Sequence, residues 1–164
     1  MKVRHEYSCT FEEQKVTSNE FSLTYQVRSP MESDVDELAE LMFDSYQGMI
    51  DYDGETIQEA KSEVKSYFER PDSRPLISCS LVALLEGRII SACLLSKWEM
   101  RPNPLISYIM TRSNFRGKGL GRAIVYMALQ RVRTAGCNGA VAVVTEGNIP
   151  SERLLVGLGF RRVD

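Results

Sequence analysis

Arg116-Gly117-Lys118-Gly119-Leu120-Gly121-Arg122 stands between an apolar stretch and a helical repeat. Three alternating glycines let successive backbone N–H groups turn toward one point with no Cβ in the way. A helix beginning there adds its unpaired N–H groups and the positive end of its dipole. The loop is therefore an anion site with the composition of a diphosphate cradle. Two other phosphate loops do not fit the letters. A Walker-type loop needs Ser or Thr after its lysine, and Lys118 is followed by Gly119. A dinucleotide fingerprint needs a glycine where Arg122 stands, and an acidic residue ending a strand about 20 residues later.

Residues 105–111, rich in β-branched and apolar side chains, predict a strand before the loop. After the loop, Leu120, Ala123, Ile124, Met127, Ala128 and Val132 recur at helical spacing, and Ala135-Gly136 closes that helix. Residues 140–145 are continuously apolar, as a central strand covered on both faces should be, so the unit is a strand-helix-strand crossover with parallel strands. Asn148-Ile149-Pro150-Ser151 opens a last helix with Asn148 as N-cap, and Leu158-Gly159-Phe160 ends it.

Arg116-x-x-Gly119-x-Gly121 resembles the acyl-CoA pyrophosphate loop of the GCN5-related N-acetyltransferases. Asn148-x-x-Ser151-x-x-Leu154, followed by Leu158-Gly159-Phe160, resembles the second signature of the same family. The resemblance implies an α/β fold with a central mixed sheet flanked by helices, running from Tyr25 onward. It also implies two further strands after Phe160, where only Arg161 to Asp164 remain. The alternating residues 3–12 are expected to fill part of that sheet, in their own chain or in a partner.

With 164 residues, 43% of them hydrophobic, one domain spanning 1–164 is expected, with residues 1–20 as an N-terminal strand extension. A net charge of −2 gives no general attraction to nucleic acid or an anionic membrane, so neither is expected as a partner. Cys9, Cys79, Cys93 and Cys137 are dispersed and His5 is the sole histidine, which argues against a metal site. Free thiols fit a reducing cytoplasm. No apolar run approaches the ~18 residues of a membrane span, and no export signal is read at the N-terminus.

Val3, His5, Tyr7, Cys9 and Phe11 alternate with polar residues, as do Phe21, Leu23, Tyr25 and Val27, which predicts two strands paired as an antiparallel hairpin. His5 lies on the apolar side and reads as a core or sheet-edge residue. A first helix is predicted from about Asp34 to Tyr46 with an Asp34/Glu37 box. A second starts at Thr56 with a Thr56/Glu59 box and an inner face of Ile57, Ala60, Val64, Tyr67 and Phe68. Residues 80–85 and 88–95 read as strands joined by a tight turn at Glu86-Gly87.

The family resemblance implies acetyl-CoA as co-substrate. The amides of Gly117, Lys118, Gly119, Leu120, Gly121 and Arg122 would bind its pyrophosphate, assisted by the charges of Arg116, Lys118 and Arg122. The pantetheine arm would lie along Ile109, Met110 and Thr111, with the Met110 amide polarising the thioester carbonyl, and Asn148 and Ser151 would help hold the CoA arm. Many members place a tyrosine acid at the position of Leu155; Tyr108 is the substitute nearest the donor strand. Glu146, just past the central strand, and Glu99 are the candidate bases. Asp51 and Asp53 would bind a cationic amine, with Tyr52 and Trp98 as aromatic walls; the same acids would also suit a solvated capping loop. The implied reaction is direct attack on acetyl-CoA by a primary amine of a small molecule. A protein N-terminus or lysine is the competing acceptor, and a non-catalytic acyl-CoA sensor is the reading from another class. A homodimer sharing sheet edges is a further expectation.

Overall fold

A computed structural model describes residues 1–12 and 25–163. Its strands are β1 (Arg4–Thr10), β2 (Gln26–Arg28), β3 (Leu81–Leu85), β4 (Arg88–Ser96), β5 (Leu105–Thr111), β6 (Gly139–Thr145) and β7 (Arg161–Arg162). Its helices are α1 (Val35–Tyr46), α2 (Ile57–Glu69), α3 (Leu120–Thr134) and α4 (Ile149–Gly157). The strands form one mixed sheet in the order β2-β3-β4-β5-β6-β1-β7. Among the described strands only β5 and β6 run parallel, across the α3 crossover. One face packs Leu38, Leu41 and Met42 of α1 and Ala60, Val64 and Tyr67 of α2 against the sheet. The other packs the apolar stripe of α3 with Leu155, Leu158 and Phe160. Among the described residues no helix is long and apolar enough to cross a membrane.

β1 and β2 do not form the expected hairpin. β1 lies between β6 and β7, whereas β2 pairs with β3 on the far side of the sheet. Alternation identifies a half-buried strand but carries no information about its partner. Phe21 and Leu23, the first half of the second alternating run, lie outside the described residues. The predicted inward face of β1 holds: His5, Tyr7 and Cys9 are buried. β1 follows β6 in register from Arg4↔Thr145 to Thr10↔Gly139, so the extra strand completes the sheet within its own chain.

That pairing needs a glycine. A Cβ at Gly139 would lie 1.9 Å from the Cys9 carbonyl oxygen, a backbone atom that cannot step aside. Gly139→Ala is expected to lift β1 from β6 and destabilise the fold by about 2 kcal/mol, measurable as a lower midpoint in urea.

Two other local expectations change. Asp34 does not form a capping box with Glu37: its carboxylate takes both Arg28 guanidinium nitrogens at 2.8 and 2.9 Å and the Met31 amide at 2.8 Å. Glu37 accepts instead from the Ile89 amide of β4 at 2.7 Å. Ile57, expected inside, is 37% exposed, and burial along α2 begins only at Ala60. The Thr56/Glu59 box forms as expected. Burial works to raise the Asp34 carboxyl, but the Arg28 hydrogen bond, the Met31 amide and the Arg28 charge together lower it below its ordinary value. The pair therefore stabilises the fold above the ordinary carboxyl range, and that contribution is lost as pH falls through the depressed value. Arg28→Ala is expected to cost about 2 kcal/mol at pH 7 and progressively less in acid, as followed by denaturation midpoints between pH 7 and pH 2.

Candidate active site

β5 and β6 are paired only at Leu105↔Val141 and Ile106↔Ala142. Beyond those pairs the strands part, leaving Ser107–Thr111 on one side and Val143–Thr145 on the other. The ladder between β4 and β5 shifts register at Leu94/Leu95, opposite Ser107, which places an extra residue of β5 where the parting begins. Val143, 42% exposed, breaks the burial of an otherwise covered strand because it faces this opening. The Arg112 amide donates to Ile90 at 2.9 Å. By antiparallel alternation, the Met110 amide then also faces β4, while the Ile109 amide faces the opening. The donor next to a ligand in the gap is thus Ile109 N–H, one residue before the one expected. The Thr111 amide, on the same edge, donates to Ser45 Oγ of α1 at 3.4 Å.

The glycine loop closes one end of the gap. Gly117 and Gly119 have φ of 75° and 78°, the left-handed region where a side chain is strained, and a Cβ on either would project into open space. The helical ladder of α3 begins with the Ala123 amide donating to Gly119 at 3.0 Å, so the preceding amides stand at the mouth of the helix. Gly121 serves packing: its Cβ would come within 3.3 Å of Thr111 Oγ1 and 3.4 Å of Leu154. The three basic side chains differ in placement. Lys118 lies 5.4 Å over the Phe115 ring, Arg116 donates to the Ser45 carbonyl, and Arg122 donates to the Gly157 carbonyl at 3.0 Å. Asn148 caps α4 as expected, accepting from the Ser151 amide at 3.3 Å.

On the α1/α2 side the gap opens into a cleft of ≈ 660 Å³. Asp51, Glu55, Glu59 and Glu63 line it together with Tyr52 and Tyr108, and Arg4 is its sole basic residue among those described. Asp51 fastens the α1–α2 loop to the end of β6, accepting from Thr145 Oγ1 and from Asn148 Nδ2 at 3.1 Å. The acceptor-side acid and the Asn of the second signature therefore meet. Tyr108 donates to the Glu63 carboxylate. Burial, and then that carboxylate, raise the Tyr108 phenol well above its ordinary value, so it stays protonated. Tyr46 is raised by burial and by the charges of Asp51 and Glu63. Sequence reading missed Glu63. The signal was its place four residues after Glu59 on α2, flanking the buried Ala60, Val64 and Tyr67.

Other sequence candidates are not brought to this cleft. Asp53 pairs with Lys2 at 2.8 Å on the surface. Glu146, 63% exposed at its side chain, lies 3.5 Å from His5 Nε2 and does not line the cleft. Glu99 pairs with Arg74 at 2.8 Å. One face of Trp98 is covered by Arg101, 4.2 Å from the ring centroid, which is itself held by both carboxylate oxygens of Glu6. Trp98 and Glu99 belong to a neighbouring hollow, on the other side of Tyr108. Leu155, at the position where a tyrosine was sought, is buried in the α3-side core. All four cysteines are free, and burial pushes the Cys93 thiol up to about 12, so it is no nucleophile at neutral pH.

A glycine loop at a helix start, a parting between two parallel strands and a cleft beyond it together form a slot with the shape and N–H donors that an extended anionic ligand would need. Residues 35–160 match the model of the acetyltransferase (GNAT) family, and the chain belongs to that family. It is 24% identical over 102 residues to N-acetylaspartate synthetase of Danio rerio, a match covering 62% of this chain and 35% of that protein. The chain thus spans about a third of that relative's length. The crystal structure of a GCN5-related N-acetyltransferase from Sphaerobacter thermophilus superposes with a TM-score of 0.71 at 18% identity, over 99% of this chain and 50% of that one. Diaminobutyrate acetyltransferase from Paenibacillus lautus, in complex with L-2,4-diaminobutyric acid and coenzyme A, superposes with a TM-score of 0.62 at 19% identity, over 83% of this chain and 75% of that one.

Proposed function

We propose that this protein transfers the acetyl group of acetyl-CoA to a primary amine of a small molecule by direct attack. One observation carries the reading: the β5/β6 parting joins the glycine loop at one end to the acidic cleft on the α1/α2 side. The loop amides hold the diphosphate, and the pantetheine arm lies along the free edge of β5. The Ile109 N–H polarises the thioester carbonyl as an oxyanion donor. Glu63 takes the ammonium proton, and Tyr108, donating to that carboxylate, positions it. The neutral nitrogen then attacks the carbonyl carbon, the C–S bond breaks as the nitrogen releases its second proton to solvent to leave a neutral amide, and CoA departs as a thiolate that takes a proton from solvent. Acetyl-CoA mixed with the protein and a panel of small amines and peptides, followed by thiol release, tests this. Release with small amines is the expected result. Release with peptides alone would transfer the reading to a protein acceptor. Tight CoA binding with no release for any amine would make the protein a sensor.

A further inference from the structure

The acidic cleft shares Glu63, Leu105, Ser107 and Tyr108 with a second hollow of ≈ 390 Å³. Its lining is of mixed charge: Arg70, Arg74 and Lys97 stand there with Asp72, Glu99 and the shared Glu63. Arg70 is matched by Asp72 at 3.1 Å and Arg74 by Glu99 at 2.8 Å. Glu63 is the third carboxylate of the lining, so the hollow is balanced overall, and the Lys97 ammonium, with no carboxylate partner among the described residues, is its cation not already paired.

The backbone that carries Arg74 and Lys97 is fixed. Arg74 adopts φ of 44°, a conformation that a non-glycine residue keeps only where its surroundings impose it. Its carbonyl accepts the Lys97 amide at 2.9 Å, and Pro75 bridges to Ser96 of β4. Ser73 Oγ donates to the carbonyls of Tyr67 and Arg70 at 2.7 and 2.8 Å, which ties the same turn to the end of α2. On the acidic side, Glu55 and Glu59 each accept a backbone amide, those of Asp53 and Thr56, and Asp51 is held by Thr145 and Asn148. Glu63, at the junction of the two hollows, accepts no backbone amide among the described residues and so faces the acceptor with Tyr108.

We infer that the acceptor is an amino-carboxylate, such as a free amino or diamino acid, with its reacting amine at Glu63 and Tyr108 and its carboxylate in the second hollow against Lys97 and Arg74. This rests on the acetyl-transfer reading above and assigns its substrate class. A carboxylate there gains a charge-assisted hydrogen bond that a simple amine cannot make, and an uncharged analogue leaves Lys97 without an anion.

Matched acceptors test it: L-2,4-diaminobutyrate against 1,3-diaminopropane, and L-lysine against cadaverine, each pair differing by one carboxylate. The expected result is a kcat/KM at least about tenfold higher for the acid of one pair. Lys97→Glu should collapse that ratio by about tenfold or more, chiefly through the KM of the acid, and Lys97→Arg should restore it. Because the ratio is taken within one protein preparation, partial misfolding does not move it. Equal efficiency for acid and amine, a ratio indifferent to Lys97→Glu, or a peptide acceptor faster than every free acid would overturn the assignment and leave acetyl transfer standing. No thiol release with any acceptor would overturn both.

Discussion

Glu63→Gln is expected to lower kcat by about 10²- to 10³-fold while the KM for acetyl-CoA stays within about twofold. The carboxylate lies at the junction of the acidic cleft and the β5 edge and takes the Tyr108 hydroxyl. Glutamine keeps the shape and can still accept that hydrogen bond, but it cannot accept a proton. The decisive measurement uses an acceptor that is already neutral near pH 7, such as an alkoxyamine. It needs no base, so the variant should slow its acetylation by less than about tenfold. An equal loss with both acceptors would reduce Glu63 to a structural residue. Tyr108→Phe is expected to have a smaller effect, because the raised phenol stays protonated and positions the carboxylate without exchanging protons.

Gly119→Val should weaken CoA binding by about 10²-fold in calorimetry, the second large effect. The residue sits at φ of 78° in open space at the start of α3, where the ligand's diphosphate is proposed to lie. A β-branched side chain would both strain the turn and fill the cradle. Gly87→Val is the matched control. It has the same φ of 78°, in the β3–β4 turn, with equally open surroundings, so it should lose comparable stability and no CoA affinity. If both variants bound CoA alike, the loop would be a turn and not a cradle.

The local structure of the proposed donor half was legible because it is written in local chemistry. Positive-φ glycines, a helix start and an Asn cap are each decided within a few residues, so Arg116 to Arg122 and Asn148 could be placed before any tertiary contact was known. The basic side chains show the limit of that approach. Spacing placed Arg116 and Arg122 at the loop, but their guanidinium groups reach the Ser45 and Gly157 carbonyls, partners from distant segments. The Ile109 amide is a similar case: which of two neighbouring N–H groups faces the gap depends on the hydrogen-bond phase between β4 and β5, which the letters do not carry.

From the sequence alone came the order of strands and helices, the parallel crossover around α3 and the place of the glycine loop, because periodicity, capping and glycine conformation are properties of short segments. The partner of β1, the meeting of Asp51 with Asn148, and the pairing of Tyr108 with Glu63 were decided only by the tertiary structure. Each joins residues far apart in the chain. Whether two such groups meet is set by the register and twist of the whole sheet, and no local pattern encodes that.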